Sequence, residues 1–412
     1  MDRETVLVAI DAGSTKVATV VGEVTPMGDV NVIGYGIAPL AGMKKGMVAN
    51  IEQTVASISS SIEKAERLSG YKIGSAFVNL GGSHISSQNS RGVVAVSGSR
   101  REVSREDVAR AMEAARAVQV PANRQVVHVV ARGYIVDGQD GIKDPVGMSA
   151  VRLEVETHIV AGATTSIQNL TKCVTNSGVQ IDEVVVSSLA AAEATLTDTE
   201  KDLGVVIADI GGGTTDIAVF TDGAVSHTAV LPVGGINVTN DVAIGLRTSL
   251  NLAEEIKVKN GTANVAEVQP EELLNVSMLG DAGGQTIQRR RLAEIIEARM
   301  RELYDMIRAE IERSGHAGPL PAGIVLTGGG AKLAGVTELA RDVLEMPVRV
   351  AGPEGVGGLM DQLASPAFST SLGLLLWGAH HPASDLSGYA AASEGDAGVG
   401  RLMGWLRGLF PG

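Results

Sequence analysis

Only one cysteine, Cys173, stands among the 412 residues. An intrachain disulfide is therefore excluded, and with no cleavable leader before the first apolar run the chain is expected in a reducing, intracellular compartment. Cys173 reads as a small core residue rather than a reactive thiol. Long apolar runs are missing too. The longest uncharged stretch, 362–384, is interrupted by Pro366, His380, His381, Pro382 and several serines. Its continuous apolar part covers only 372–379, and a membrane-spanning helix needs about 20 mainly apolar residues, so it reads as a buried core helix. Positive charge is in deficit: 34 Lys and Arg face 47 Asp and Glu, a formal net charge of −13. That balance lacks the dense basic face needed to neutralise phosphates and argues against nucleic acid as a partner. His380 and His381 have no carboxylate or cysteine partner in view, so they do not read as a metal site.

Aromatic residues make up only 3% of the chain, whereas glycine is abundant at 51 residues. Valine, isoleucine and alanine in close-packed strands and helices, joined by glycine turns, predict an α/β class. The length calls for two or more domains.

Two segments set the organisation. An apolar run at 6–10 enters Asp11-Ala12-Gly13-Ser14-Thr15-Lys16 and leaves through 17–22, which predicts a hairpin. The arrangement returns at 205–208, Asp209-Ile210-Gly211-Gly212-Gly213-Thr214-Thr215-Asp216 and 217–220. Two related halves, each opening on this device, are the simplest reading.

Between the hairpins, 76–80 is strand-like and 104–118 is a helix with Ser104 as N-cap and Glu106 and Asp107 in its first turn. The stretches 125–136 and 151–161 are strands. In the second, Val151, Leu153 and Val155 are expected inward, Arg152, Glu154 and Glu156 outward. A small inserted α+β subdomain is expected over 82–162. A helix follows over 184–196, where Ala190, Ala191 and Ala192 allow very close packing. In the second half, 237–250, 253–259 and 289–314 read as helices, the last amphipathic. At 323–333 a strand should open through Gly328, Gly329 and Gly330 into a helix. Arg289-Arg290-Arg291 reads as a solvated helix start, with a phosphate or partner contact as the alternative; Arg100-Arg101 is equally open.

A glycine turn between strands can bring backbone N–H groups against a polyphosphate, because no Cβ holds the ligand away. Ser14, Thr15, Thr214 and Thr215 add hydroxyl donors. Asp11 and Asp209, each at a strand end, are placed to hold Mg²⁺ directly or through its waters. Lys16 supplies a positive charge for the β- or γ-phosphate, and Gly328–Gly330 let a base or ribose lie close to the backbone. One such turn alone is an ordinary structural hairpin. Two, followed by Leu-Thr-Gly-Gly-Gly, point to a nucleotide.

This order of motifs resembles the actin, heat-shock-70 and sugar-kinase superfamily. The opening Asp11-x-Gly13-Ser14-x-Lys16 is similar to its first phosphate loop, 209–216 to its second, and Thr327–Ala331 to its adenosine loop. The stretches 186–196 and 368–377 resemble its two connecting helices. The subdomain inserted after Leu80-Gly81-Gly82, together with a terminal amphipathic segment, resembles the FtsA family of actin-like bacterial cell-division proteins over almost the whole chain.

The resemblance implies an actin-like (ribonuclease H-like) two-half α/β fold around a nucleotide cleft, with ATP and Mg²⁺ as cofactors. It implicates Glu254 and Lys257 at ribose or adenine, Gly234 and Gly235 near the phosphates, and Lys332 beside the adenosine loop. The implied division is a first-half core over 1–81 and 163–203, the insert over 82–162, a second-half core over 204–235 and 322–364 and a lid over 236–321. A second connecting helix over 365–379, a linker over 380–398 and a terminal helix over 399–412 complete it. Ser187 and Ser188 occupy positions where heat-shock-70 proteins and MreB carry Glu-Pro, so at most a weak ATPase is expected; Glu193 on the same helix is the alternative water-positioning acid, a solvated or structural glutamate being the better reading.

The implied role is a polymerising adaptor that tethers the tubulin-like ring protein FtsZ, docked on the lid, to the cytoplasmic membrane at the septum. It would recruit late division proteins through the insert. A type IV pilus assembly protein similar to PilM and a small-molecule kinase of the same superfamily are the alternatives.

The linker composition at 380–398 leads into a last segment of different character. At about 100° per residue, a helix over 399–410 puts Val399, Leu402, Met403, Trp405, Leu406, Leu409 and Phe410 on one arc and Arg401, Gly404, Arg407 and Gly408 on the other. Such a helix suits an anionic lipid surface, with folding back on the protein as the alternative. One copy should bind weakly, and a filament would multiply it.

Overall fold

The computed structural model describes residues 5–97, 101–276, 285–315 and 320–381. Both expected hairpins are present and head matching sheets. In the first half the strands run in the order Gln180–Val186, Ser75–Leu80, Thr5–Ala12, Lys16–Val24, Val30–Pro39, Val356–Gly358. In the second half the order is Ala224–Leu231, Thr215–Thr221, Val205–Ile210, Ile324–Thr327, Val348–Val350. Each half has three antiparallel strands extended by two parallel ones on the side of its leading aspartate strand, and in the first half Val356–Gly358 adds a further parallel strand on the other side, against Val30–Pro39. Val8–Ile10 and Val205–Ala208 are fully or almost fully buried, as continuous apolar strands covered on both faces should be.

Two helices join the halves. The first connecting helix, Ser187–Thr195, crosses the second, Ser369–His380, so closely that a Cβ on Gly373 would lie 1.8 Å from the Ala190 carbonyl oxygen. The alanine run permits this approach. The expected helix over 184–196 starts later than its composition suggests: Val184, Val185 and Val186 are strand, paired in parallel with Val78, Asn79 and Leu80. Their β-branched side chains suit a half-buried strand better than a helix turn.

The insert is a four-stranded antiparallel sheet, in the order Ser86–Ala95, Arg152–Ala163, Arg124–Val136, Gln139–Ile142, covered by the helix Arg105–Arg116. Ser104 and Asp107 form the capping box of that helix. Alternation along Arg152–Ala163 departs from expectation at two residues. Val151 precedes the strand and is 55% exposed, whereas Glu154 is buried and paired with Arg91 and Arg152. A buried carboxylate is tolerated here because two guanidinium groups meet it.

The lid is built from Gly235–Gly245, Leu250–Asn260 and Arg289–Arg313 around a second core that includes Leu246, Leu292, Ile296 and Tyr304. The expected single helix over 237–250 ends at Gly245, because the chain turns through Arg247 with φ 50° and restarts behind the N-cap Ser249. At the third glycine run the strand opens first into a 3₁₀ turn, Gly329–Lys332, and the α-helix begins only at Val336. Cys173 is a buried free thiol. No helix among the described residues is long and apolar enough to cross a membrane. The segments 382–398 and 399–412, with Arg401, Leu402, Met403, Trp405, Leu406, Arg407, Leu409 and Phe410, lie outside the described residues.

Candidate functional site

The two hairpin turns face each other across a cleft between the halves. Each is closed by its own backbone: the Gly13 N–H donates to the Lys16 carbonyl at 3.0 Å, and the Gly211 N–H to the Thr214 carbonyl at 2.9 Å. They meet closely, since a Cβ on Gly212 would lie 2.5 Å from Thr15 Cγ2 and one on Gly213 2.7 Å from Ser14 Oγ. Glycine at these two positions is what lets the turns converge.

The cleft is lined by Asp11, Gly13, Ser14, Thr15 and Lys16 from the first turn, Asp209, Gly212 and Thr214 from the second, and Gly328 and Gly329 from the third glycine run. Gly328 has φ 84°, and a Cβ there would lie 2.2 Å from Asp209 Oδ1. Two adjacent hydroxyls at the start of the second connecting helix hold the two leading carboxylates. Ser371 Oγ donates to Asp11 and Thr370 Oγ1 to Asp209, each at 2.6 Å.

The acids are confined. Burial, reinforced by the charge of Asp11 and opposed by the Thr370 hydroxyl, pushes the Asp209 carboxyl up to about 6. Burial and then the charge of Asp209 push Asp216 up to about 8. One oxygen of Asp216 accepts from Thr214 Oγ1 at 3.1 Å, while Oδ1 is buried at the cleft with no hydrogen-bond partner among the described residues. Such an oxygen lacks a cation or donor and fits a divalent ion or its waters. Among the described residues no three acids, histidines or cysteines are grouped to chelate a metal by themselves. The donor set therefore suits an ion whose remaining ligands are water and phosphate, as Mg²⁺ prefers.

Lys16 reaches across the cleft. Its Nζ donates to the Ala367 carbonyl at 2.6 Å and lies 4.1 Å above the centroid of the Phe368 ring. The remaining sequence candidates sit around the cleft rather than in its lining. Thr215 is fully buried and donates to the Val233 carbonyl. Gly234 and Gly235 pack on the second turn, with the Gly235 N–H donating to the Gly211 carbonyl at 2.9 Å. Lys257 Nζ bonds to the Gly235 carbonyl, Thr239 and Glu254, which ties the Glu254 and Lys257 pair to the start of the lid. Gly330 abuts Ile210, and Lys332 is exposed.

Several lining residues escaped the sequence reading. Asn79 accepts the Ala12 N–H at 2.7 Å and donates to Ser187 at 3.3 Å. Asn79, Gly46, Ala367 and Thr370 line the cleft, beside Gly81 and Ser187, which both stood in stretches that the sequence singled out. Asn79 sits inside an apolar strand and Thr370 inside an uncharged run, so neither carried a local signal. Asp216 stood in the quoted motif, and only its burial marks it as more than a strand residue.

Of the first connecting helix, Ser187 alone lines the cleft. Glu193 is turned away, paired with Lys201 at 3.4 Å and with His380 Nδ1 at 3.3 Å. His380 thus has the carboxylate partner that the sequence did not show, and His381 stacks on Trp377.

Known proteins resemble the chain in sequence and in fold. A family model described as "Cell division protein FtsA" matches residues 206–373, and one described as "SHS2 domain inserted in FTSA" matches residues 82–161. The chain is 43% identical to the cell division protein FtsA of Pseudomonas aeruginosa over 410 residues, 98% of each chain. It is 39% identical to the Escherichia coli protein of that name over 421 aligned positions, 99% of each. Among solved structures it is similar to the PilM–PilN type IV pilus biogenesis complex, with TM-score 0.65, 18% identity and coverage of 92% of this chain and 99% of that one. It is also similar to MreB5 of Spiroplasma citri bound to ADP, with TM-score 0.55, 14% identity and coverage of 93% and 98%. These two likenesses bear on the fold alone, which is actin-like. With such identity along its length and the inserted subdomain in place, the chain belongs to the FtsA family of cell division proteins.

Proposed function

We propose that the protein binds ATP in the cleft, polymerises, and holds FtsZ at the cytoplasmic face of the membrane at the division septum. The observation that carries the nucleotide reading is the convergence of two aspartate-led glycine turns on one cleft beside the unpartnered Asp216 oxygen. Ser14, Thr15 and Thr214 hydroxyls and the turn N–H groups would bind phosphate oxygens, with Lys16 leaving the Ala367 carbonyl to join them. Asp11 and Asp209 would hold a Mg²⁺ ion through its waters, and that ion, when bound, neutralises phosphate charge. Gly328 and Gly329 would admit the nucleoside against the backbone, with Glu254 and Lys257 at its lid side. Because Ser187, and no acid, faces the cleft from the first connecting helix, the site suits a ligand that is held more than one that is turned over.

The lid over 236–321 is the proposed FtsZ dock and the insert the dock for late division proteins, with 399–412 as the lipid anchor. Titration calorimetry should show magnesium-dependent ATP binding that Gly212→Val reduces at least tenfold by filling the approach to Thr15; unchanged affinity in that variant would sink the reading. FtsZ should sediment with anionic liposomes only when this protein is present.

A further inference from the structure

The insert is covalently part of the first half, yet it is bonded to the second. Its outer strand, Ser86–Ala95, lies against Ala224–Leu231, the outer strand of the second-half sheet. Ser87 Oγ donates to the Thr228 carbonyl at 2.9 Å and accepts the Thr228 N–H at 3.2 Å. Asn89 Nδ2 donates to the Ser226 carbonyl at 3.1 Å, which fixes the amide and turns its oxygen to His158 Nδ1 at 2.7 Å. That nitrogen therefore carries the imidazole proton, and Nε2, 3.1 Å from Thr228 Oγ1, accepts the threonine hydroxyl. His158 is 1% exposed, and the network uses it as a neutral donor and acceptor. On the surface nearby, Lys143 of the insert pairs with Asp202, in the short helix that follows the first connecting helix, at 2.9 Å.

These bonds bypass the hinge. The halves also meet at the crossing of the two connecting helices and at the facing glycine turns, and a rotation about the crossing that opens the cleft must carry Ala224–Leu231 away from the insert or turn the insert with it. The insert also starts at the cleft, since Gly81 lines it and an added Cβ there would lie 3.3 Å from Asp216 Oδ1. Opening with the seam broken would cost the bonds of Ser87 and Asn89 to Ser226 and Thr228 and would take the Thr228 hydroxyl from His158 Nε2, on a side chain that is otherwise buried, which opposes it.

We infer that the seam formed by Ser87, Asn89 and His158 with Ser226 and Thr228 is a latch that makes the posture of the insert and the opening of the cleft one equilibrium. A protein partner that tilts the insert then loosens whatever the cleft holds, and a ligand that closes the cleft tightens the seam by the same factor. The affinity consequence rests on the nucleotide reading; the mechanical one does not.

The test uses full-length protein with spin labels on cysteines replacing Glu52 and Glu338, one in each half, and hydrogen exchange along 224–231. Without nucleotide, Ser87→Ala with Asn89→Ala should broaden and lengthen the distance distribution and speed exchange in that strand about tenfold, leaving 205–210 protected. ATP affinity should fall by about tenfold, within the range usual for coupled sites. Lys143→Ala should change neither readout. Unchanged distances and exchange in the double variant overturn the latch, whether or not ATP binds. Failure of the unaltered protein to bind ATP overturns the nucleotide reading and leaves the distances to judge the latch. If the double variant also loses protection at 205–210, Thr228→Val, which removes only the hydroxyl bonded to His158, carries the same two outcomes.

Discussion

Asp216 shows how a single residue reports the purpose of a cleft. A buried carboxylate with one unpartnered oxygen is a liability in the protein alone. Its pKa is raised to about 8 in the folded chain against an ordinary 3.8. Between those values the folded protein keeps a proton that the unfolded chain releases, so this group lowers stability as pH rises from 4 to 8. Asp216→Asn should therefore stabilise the ligand-free protein at pH 8 by roughly 1 kcal/mol and flatten that part of its pH profile, while weakening magnesium-dependent ATP binding. Chemical denaturation at pH 5 and pH 8, with and without ATP, checks both. An unchanged pH profile would show that Asp216 ionises freely. The motif Gly-Gly-Gly-Thr-Thr-Asp was visible in the sequence, but the isolation of its last side chain was not, because burial belongs to neighbours far along the chain.

Among the elements, the connecting helices join the halves, and their contact depends on having nothing between them. Gly373 faces the Ala190 carbonyl with no room for a methyl group. Gly373→Ala should cost about 2 kcal/mol or more, or shift the helices, and a melting curve with a nucleotide-binding assay distinguishes loss of fold from a displaced hinge. A variant as stable and as competent as the original would show that the crossing is looser than this geometry. The alanine run advertised close packing, and the hairpins, the capped insert helix and the long amphipathic lid helix were all legible from local pattern. Boundaries were not: Val184–Val186 became strand because Val78–Leu80 lay ready to pair with them, and Glu154 turned inward because Arg91 and Arg152 received it.

For the molecule as a whole, the described body closes on the second connecting helix, which ends at His380 and is buried over most of its length against the first-half sheet and the first connecting helix. Removing 399–412 should leave thermal stability within about 0.5 kcal/mol of the full chain and ATP binding intact, while sedimentation with anionic liposomes is lost. Unchanged sedimentation would refute the anchor. The net charge of −13 is an average, and Arg401 and Arg407 with no acid beside them at the end of the chain are what would meet an anionic surface. The sequence by itself determined the two related halves, the glycine turns and the inserted subdomain, because these rest on short-range spacing and on backbone freedom that only glycine has. The tertiary structure alone decided that the turns converge to within van der Waals reach, that Asn79 and Thr370 belong to the cleft, that Glu193 leaves it for Lys201 and His380, and that the insert is fastened to the second half. Each of those depends on residues far apart in the chain, whose meeting is set by how the sheets and connecting helices pack.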